Sequence, residues 1–252
     1  MQPDVDTFRA LARSSPWRWR TLHFTRRGDI GEVEAWVRRP GELVVKPASG
    51  REEYLSGAPY TVSRAAIRST PEGMVAVDAW AAVDPEPEPT FRPDGMVAER
   101  PADWHLEHGD PMWHNYTWTA ALDPDELSHD VDLAGVRPGR VGGREVWWAR
   151  VRPLDGYDPR CGCCPLLWSE VAALAEYADE PDRLEQFAAR GYPEAHDVAL
   201  DVRTGVVVVL EPVGGVRDDL GFTIEIHEVD TDVDAVFGRR AGSSGRVPEN
   251  GL

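Results

Sequence analysis

The feature that most constrains this chain is a series of short segments in which apolar and polar residues alternate with a period of two. Turn residues such as Arg27-Gly28-Asp29 separate consecutive segments. This period places every second residue on the same face of a β-strand, and turn-bounded runs in series are typical of an antiparallel meander. The chain is therefore predicted to be mainly β. The predicted strand segments are 17–25, 32–38, 42–46, 51–55, 60–67, 74–83, 116–122, 146–151, the hairpin 197–210, and 222–229.

Three segments show helical features instead. Segment 5–14 has apolar residues at helical spacing, namely Phe8, Leu11 and Ala12. A short helix is predicted to start at Asp123, which can cap it, with Glu126 completing a capping box. Segment 165–178 carries an apolar stripe at helical spacing, formed by Leu167, Val171, Leu174 and Ala178.

Charge and hydropathy exclude some classes of partner. The 44 acidic residues outnumber the 27 Lys and Arg, which gives a net charge of −17. Such a field repels phosphate backbones, so we expect no nucleic-acid partner. The sequence has no run of about 18 apolar residues, so no transmembrane segment is expected. The first residues lack a secretory signal, which favours a cytoplasmic location, or an exported one if a leader has been removed.

The domain organisation is predicted to be simple. Residues 1–237 are expected to form one domain, since all-β domains of this size are common. Segment 84–103 contains five prolines with acids between them and is predicted to be an extended, mobile loop. Residues 238–252 are rich in Gly, Ser and Arg and are predicted to be a disordered tail.

Four short motifs resemble those of the LolA-like superfamily, which includes the lipoprotein carrier LolA and the RseB/MucB-type periplasmic regulators. Segment 31–41 resembles the family's Trp-and-Pro-Gly hairpin, and segment 140–148 resembles its G-x-x-x-W strand. Segment 199–207 resembles its D-x-x-T-G hairpin, and segment 224–230, followed by Val236-Phe237, resembles its closing strand and tail.

The resemblance implies a curved, unclosed antiparallel half-barrel of about ten strands, with a few short helices packed on the concave face. In that family the concavity holds acyl chains or a partner protein. The family has no catalytic residues to transfer, and the string around Cys161 has no counterpart in its motifs. The resemblance therefore favours a binding protein over an enzyme, and no catalytic residue is predicted.

Tryptophan is abundant, with ten residues in the chain. Such rings can pack in the core and on strand faces, or they can form the walls of a wide apolar cavity. Together with the resemblance, the second interpretation predicts a non-enzymatic protein that holds a hydrophobic small molecule or acyl chain. The candidate cavity residues are Trp17, Trp19, Trp36, Trp80, Trp118, Trp147, Trp148 and Trp168. The alternative is a protein-interaction or regulatory module of the same fold, bound to a protein partner.

The three cysteines suggest a third hypothesis, a metal- or thiol-dependent protein. Cys161, Cys163 and Cys164 lie in a C-x-C-C string directly before the predicted helix at 165. A thiol at a helix N-terminus has a lowered pKa, which would favour Cys164 as thiolate. The alternative is that all three are simply buried in the core.

A metal at the C-x-C-C string would need further ligands, because adjacent residues diverge in an extended chain. His105 and His108 are three residues apart and are the candidate partners, with His114 and His129 further along the chain. Zinc or another transition metal is the candidate ion. No cofactor is required by the other two hypotheses. The motifs of Ser hydrolases, P-loop proteins and H-E-x-x-H metalloproteases are absent from the sequence.

Overall fold

The computed structural model describes residues 2–56, 61–70, 73–82, 88–101, 110–215 and 221–238, with backbone alone for 61–70 and 73–82. The N-terminal strands are β1 (Thr21–Gly28), β2 (Gly31–Arg38), β3 (Glu42–Pro47), β4 (Glu53–Ser56), β5 (Thr61–Thr70) and β6 (Gly73–Ala82). The later strands are β7 (Thr90–Phe91), β8 (Val97–Glu99), β9 (Val131–Val141), β10 (Arg144–Pro153), β11 (Ala195–Asp201), β12 (Val207–Val213) and β13 (Phe222–Val229). The helices are α1 (Val5–Ser14), α2 (Tyr116–Leu122), α3 (Glu170–Tyr177), α4 (Pro181–Arg190) and α5 (Asp234–Phe237).

Nine strands form one antiparallel sheet in the order β4-β3-β2-β1-β13-β12-β11-β10-β9. It consists of two meanders, β1 to β4 and β9 to β13, which are joined where the first strand pairs with the last. The sheet does not close, since β4 and β9 remain at its edges. The predicted fold class is confirmed: an unclosed, mainly β, antiparallel half-barrel with a few short helices.

One face of the sheet carries helices and holds the main core. Phe24 of β1 lies opposite Ala35 of β2 and Ile226 of β13, and all three side chains are buried. Directly paired residues point to the same face, so these three mark the helix-covered face. The ring of Trp118 in α2 packs 5.4 Å from the ring of Phe24. The side chains of the helices therefore fill the space in front of the central strands.

The opposite face is also partly covered. His23 and Trp36 are paired across β1 and β2, and their rings stack at 4.5 Å. Further along, Val44 of β3 packs with Val233 and Phe237, which places α5 on this face. The last helix thus covers part of the sheet surface that α1 and α2 leave open.

Helix α1 forms as the sequence predicts. Asp4 caps it by accepting a hydrogen bond from the Thr7 backbone N–H at 2.8 Å, and the Thr7 hydroxyl accepts one from the Asp4 N–H at 2.8 Å. This reciprocal pair satisfies two N–H groups of the helix N-terminal end. Phe8 and Leu11 are fully buried against the sheet. The predicted apolar stripe is therefore the packing face.

The prediction of a strand at 116–122 is wrong, because this segment forms helix α2. Asn115 accepts a hydrogen bond from the Thr117 N–H at 3.0 Å and so caps the helix. Ala120 and Ala121 favour a helix, whereas the alternating aromatic residues suggested a strand. Burial of Trp118 in the core decides the outcome, since a helix places it beside Leu122 on one face.

The helix predicted at 165–178 is also partly wrong, because α3 begins at Glu170. The hydroxyl of Ser169 caps it by accepting from the Ala172 N–H at 3.2 Å. Leu167 of the predicted stripe lies in the core before the helix, whereas Leu174 is half exposed. Cys164 therefore does not lie at a helix N-terminus, and the thiolate argument that rested on that position fails.

Other elements were not predicted or differ in part. Strand β9 contains Gly135 and Pro138, which are typical of turns. Helix α4 carries Leu184 and Phe187 at helical spacing, and both are partly buried against Trp168 and Tyr177. Part of the predicted Pro-rich loop, residues 88–101, forms the β7–β8 hairpin, where the Val97 N–H donates to the Ser14 hydroxyl of α1 at 2.8 Å. The rest of that loop and the predicted tail beyond 238 lie outside the described residues.

Candidate functional site

The structure distributes the candidate tryptophans over several environments. Trp19, Trp118, Trp147 and Trp168 are buried, and Trp17, Trp36 and Trp148 are half-buried. Trp80 lies in β6, whose side chains are outside the described residues. Trp147 and Trp148 are neighbours in one strand and must point to opposite faces. Trp147 and Trp148 therefore cannot both face one cavity, and the wider set of cavity tryptophans stays a prediction.

Trp168 lines a cavity of about 320 Å³ beside the helix-covered face, which we call the Arg26 cavity. It lies between the end of β1, the start of α2, the cysteine string and helices α3 and α4. Its lining includes Arg26, Asp29, Thr117, Cys164, Trp168 and Phe187. Arg183 and Arg190 of α4 also reach it, so its lining is both aromatic and cationic.

The apolar wall of the Arg26 cavity is an aromatic cluster. The rings of Trp168 and Phe187 meet edge to face at 4.9 Å, and Tyr177 packs 5.3 Å from Phe187. Aromatic rings prefer such tilted contacts because the edge of one ring is attracted to the face of the other. Helices α3 and α4 are therefore held together by the same side chains that form the wall.

Arg26 is the most unusual polar residue of the cavity, because its side chain is only 3% exposed. Its Nη2 donates to Asp29 Oδ1 at 2.9 Å, and its guanidinium lies 4.5 Å from the centre of the Phe222 ring. Nε and Nη1 have no hydrogen-bond partner among the described residues. Burial lowers the pKa of Arg26, although Asp29 opposes that shift. A buried donor without an acceptor is costly, so this arrangement suits a ligand that supplies one.

The cysteines lie in a tight turn beside this cavity. The Cys164 N–H donates to the Cys161 carbonyl at 3.3 Å, so residues 161–164 close a β-turn. The Sγ atoms of Cys161 and Cys163 are 3.0 Å apart, and those of Cys163 and Cys164 are 3.8 Å apart. All three Sγ atoms lie within 4.8 Å of one another. The expectation that adjacent cysteines diverge is therefore wrong, because the turn redirects the chain.

The thiols differ in acidity. Partial burial alone would raise the pKa of Cys161, but hydrogen bonds from the thiols and backbone of Cys163 and Cys164 outweigh it, and the pKa is lowered. The pKa of Cys163 is raised, mainly by its hydrogen bond to Cys161. Burial, followed by the hydrogen bond to Cys161, raises the pKa of Cys164 to about 12. The thiol that is most easily ionised is therefore Cys161 and not Cys164.

The candidate histidines do not join the thiols within the described residues. His105 and His108 lie outside those residues. His114 and His129 are exposed, and neither belongs to the group of convergent metal-ligating side chains. The cysteine cluster is thus the part of the predicted metal site that the structure brings together.

A buried charge cluster anchors the cysteine turn. Arg160, directly before Cys161, donates from Nη2 to Asp123 Oδ2 at 2.9 Å. Arg100 binds the same carboxylate, with Nη1 3.1 Å from Oδ2. Although burial alone would raise the pKa of Asp123, the two guanidinium groups lower it to about 2. Arg160 precedes the cysteines directly in sequence, and its guanidinium pairs with this carboxylate.

Glu126 is the second buried carboxyl group of this region. Its Oε2 accepts a hydrogen bond from the Tyr157 hydroxyl at 2.5 Å, and that hydroxyl accepts one from the Leu167 N–H at 3.1 Å. Burial raises the pKa of Glu126 to about 7 and raises the pKa of Tyr157 above its ordinary value. Asp123 and Glu126 were predicted to cap a helix, but only the 3₁₀ turn Asp125–Leu127 forms, and neither residue caps it.

Sequence reasoning did not find Arg26 as a site residue. Arg26 follows Phe24 and Thr25 in a strand with basic residues, and its neighbour Arg27 is half exposed. The alternation of β1 offered a signal, because Arg26 shares its face with Leu22 and Phe24. A charged residue at a core-facing strand position is uncommon and is a usable marker of a site.

Comparisons with known proteins give only weak likenesses. No family model and no curated protein matches the chain. The chain is similar to the crystal structure of MucB, with 13% identity, a TM-score of 0.34, and coverage of 88% of this chain and 56% of that one. It is also similar to LprF from Mycobacterium bovis, with 13% identity, a TM-score of 0.32, and coverage of 92% and 97%.

The chain thus spans little more than half of the MucB chain that it matches. MucB is one of the proteins that give the RseB/MucB type of the sequence resemblance its name, and the structural likeness is weak. Within the part of the chain that the structure describes, no helix is both long and apolar enough to cross a membrane.

Proposed function

We propose that this chain is a non-enzymatic binding protein whose ligand is an amphiphile with an acyl-like body and an anionic head group, held in the Arg26 cavity. The observation that carries the proposal is the buried Arg26 guanidinium, which keeps two nitrogens without a protein partner among the described residues. A carboxylate or phosphate oxygen would satisfy these donors once the guanidinium turns toward the cavity, since both nitrogens are shielded from solvent in this structure. Charge-assisted hydrogen bonds of this kind are about twice as strong as neutral ones.

The apolar body of the ligand would pack on the aromatic wall. Trp168, Tyr177 and Phe187 supply that wall, and Leu166 extends it toward the core. A cavity of about 320 Å³ is within the range in which proteins bind small ligands. We place the ligand beside the helix-covered face and not in front of it, because side chains such as Phe8 and Trp118 pack into the core there.

The cavity offers a charge balance that suits an anion. Arg183 and Arg190 of α4 add two cationic side chains to its lining, while Asp29 already occupies one nitrogen of Arg26. This local excess of positive charge contrasts with the net charge of −17 of the whole chain. Short-range contacts dominate in a half-enclosed site, because screening limits the field of distant surface charges.

The test is calorimetric titration of the full chain with three ligands of one chain length, namely decanoate, decanol and decyltrimethylammonium. Decanoate should bind most tightly. Arg26→Gln should weaken decanoate binding by about 10- to 100-fold and leave decanol nearly unchanged, because one hydrogen bond to a charged group contributes about 1.5–3 kcal/mol. Arg27→Gln is the matched control, since Arg27 lies next in sequence on the opposite face and is half exposed.

The apolar wall is tested separately. Phe187→Ala should weaken decanoate and decanol alike, and Phe91→Ala, at a ring that is 54% exposed, should weaken neither. Equal binding of all three ligands, or no effect of Arg26→Gln, would contradict the proposed head-group site. No binding of any ligand would instead favour the interaction module, which is consistent with a half-barrel filled by its own helices.

A further inference from the structure

We propose that Cys161, Cys163 and Cys164 form a zinc-binding site in which all three thiolates are ligands and the fourth position faces solvent. The inference requires neither Arg26 nor a bound amphiphile, although Cys163 and Cys164 also line the Arg26 cavity. It rests on the convergence of the three sulfur atoms on one side of a closed turn.

The sulfur positions fit a tetrahedral zinc ion. Zn–S bonds of about 2.3 Å at tetrahedral angles put the sulfurs about 3.8 Å apart. The Sγ atoms of Cys163 and Cys164 are 3.8 Å apart, and all three lie within 4.8 Å of one another. The 3.0 Å separation of Cys161 from Cys163 needs to widen by less than 1 Å. Three thiolates are soft ligands, which select zinc or copper(I) over magnesium or calcium.

The turn is held from both ends, which favours a preformed site. At one end Arg160 donates to both the carbonyl and the carboxylate of Asp123, at 3.1 and 2.9 Å. At the other end the Thr117 hydroxyl donates to the Cys164 carbonyl at 3.1 Å. Partners that orient the ligands of a metal site typically change its affinity by about 10- to 100-fold.

A carboxylate beside the turn adds favourable charge for a cation. The side chain of Glu176 lies against Gly162, so closely that a methyl group at Gly162 would be 2.0 Å from its Oε2. Since Cys163 is exposed and the other two thiols are partly exposed, the ion has access from solvent.

The first experiment is zinc titration of the reduced full chain, with a chromophoric chelator as competitor and native mass spectrometry for stoichiometry. We expect one zinc per chain. Each single change, Cys161→Ser, Cys163→Ser or Cys164→Ser, should weaken binding by at least about tenfold, because losing a ligand costs more than losing an orienting partner. The triple serine variant should bind no zinc at this site.

His114→Ala and His129→Ala are the controls, because both imidazoles are exposed and neither belongs to the thiol group. They should leave affinity and stoichiometry unchanged. Cobalt(II) gives a second readout that does not depend on variants, since thiolate ligation produces a sulfur-to-cobalt charge-transfer absorption. Zinc binding that survives in the triple serine variant, absence of zinc binding to the reduced chain, or a cobalt complex without that absorption would each overturn the proposal. Arg26→Gln should not change zinc affinity, which distinguishes zinc binding from the proposed binding of the amphiphile head group.

Discussion

Replacing Asp123 by Asn should destabilise the protein by about 3–5 kcal/mol at pH 7. Asp123 is 3% exposed, and the side chains of Arg100 and Arg160 that bind it are 10% and 4% exposed. Removing one partner of a buried ion pair typically costs this much, although Arg100 keeps its contact with Asp125, whose Oδ1 lies 3.2 Å from the Arg100 Nε. The Asn amide keeps the shape of the carboxylate but offers only one acceptor oxygen to two guanidinium groups.

The pKa of Asp123 gives a separate measure of the same interaction. It is lowered from 3.8 to about 2. Such a shift corresponds to roughly 2 kcal/mol in favour of the ionised folded state. Because the folded pKa is the lower one, this stability is present above pH 3.8 and is lost as the pH falls toward 2. The difference between wild type and Asp123→Asn should therefore shrink in that range.

The assay is urea unfolding at pH 7, followed by the same measurement at decreasing pH. Asp197→Asn is the matched control, because Asp197 forms a comparable pair with Arg150, but that pair is 29% and 53% exposed. Asp197→Asn should lower the free energy of unfolding by less than about 1 kcal/mol. If Asp123→Asn costs no more than this control, desolvation of the three charges offsets their attraction, and the argument that the cluster anchors the cysteine turn is refuted.

Two further predictions concern buried titratable groups. Burial raises the pKa of Glu126 from 4.5 to about 7. The free energy of unfolding should therefore fall by about 3 kcal/mol as the pH rises from 4.5 past 7. Glu126→Gln should remove this fall, which urea unfolding at pH 5 and pH 8 would measure. An unchanged pH profile would contradict the raised pKa. His196 is fully buried, and its ring nitrogens have no partner among the described residues. Burial lowers the pKa of His196 from 6.5 to about 4, so the melting temperature should drop as the pH falls from 6.5 to 4. His196→Leu should reduce that drop, and an equal drop in the variant would rule out His196 as its cause.

Much of the fold was predictable because local patterns and tertiary packing agree. The cap, the bounds and the apolar stripe of helix α1 all lie within the eleven residues from Asp4 to Ser14, and each can be predicted without knowledge of the rest of the chain. The hairpin of β11 and β12 was also predictable from local sequence, since Gly205 has the positive φ of 77° that its turn requires. In α2 the local pattern and the tertiary packing disagree, and burial of Trp118 outweighs the local alternation of apolar and polar residues.

The candidate site was less predictable, because its residues converge from distant parts of the chain. Arg26, Thr117, Cys164 and Phe187 line one cavity although no short segment contains two of them. The sequence showed that the three cysteines are close together in the chain. Their convergence in space depends on a turn whose ends are held by Thr117 and by Asp123. Residues 105 and 108 were candidate partners and lie outside the described residues, so their part in a metal site stays a prediction.

The sequence by itself determined the antiparallel β architecture, since a period of two places a hydrophobic residue on the same face at each second position. It also determined the acidic character and the presence of three neighbouring thiols. Only the tertiary structure decided which charges are buried. Arg26 and Arg27 are adjacent and chemically identical, yet one lies in the core and the other in solvent because the faces of β1 alternate. Moving a charge from water into the core changes its free energy far more than exchanging one charged residue type for another does. Which charges are buried depends on the whole fold.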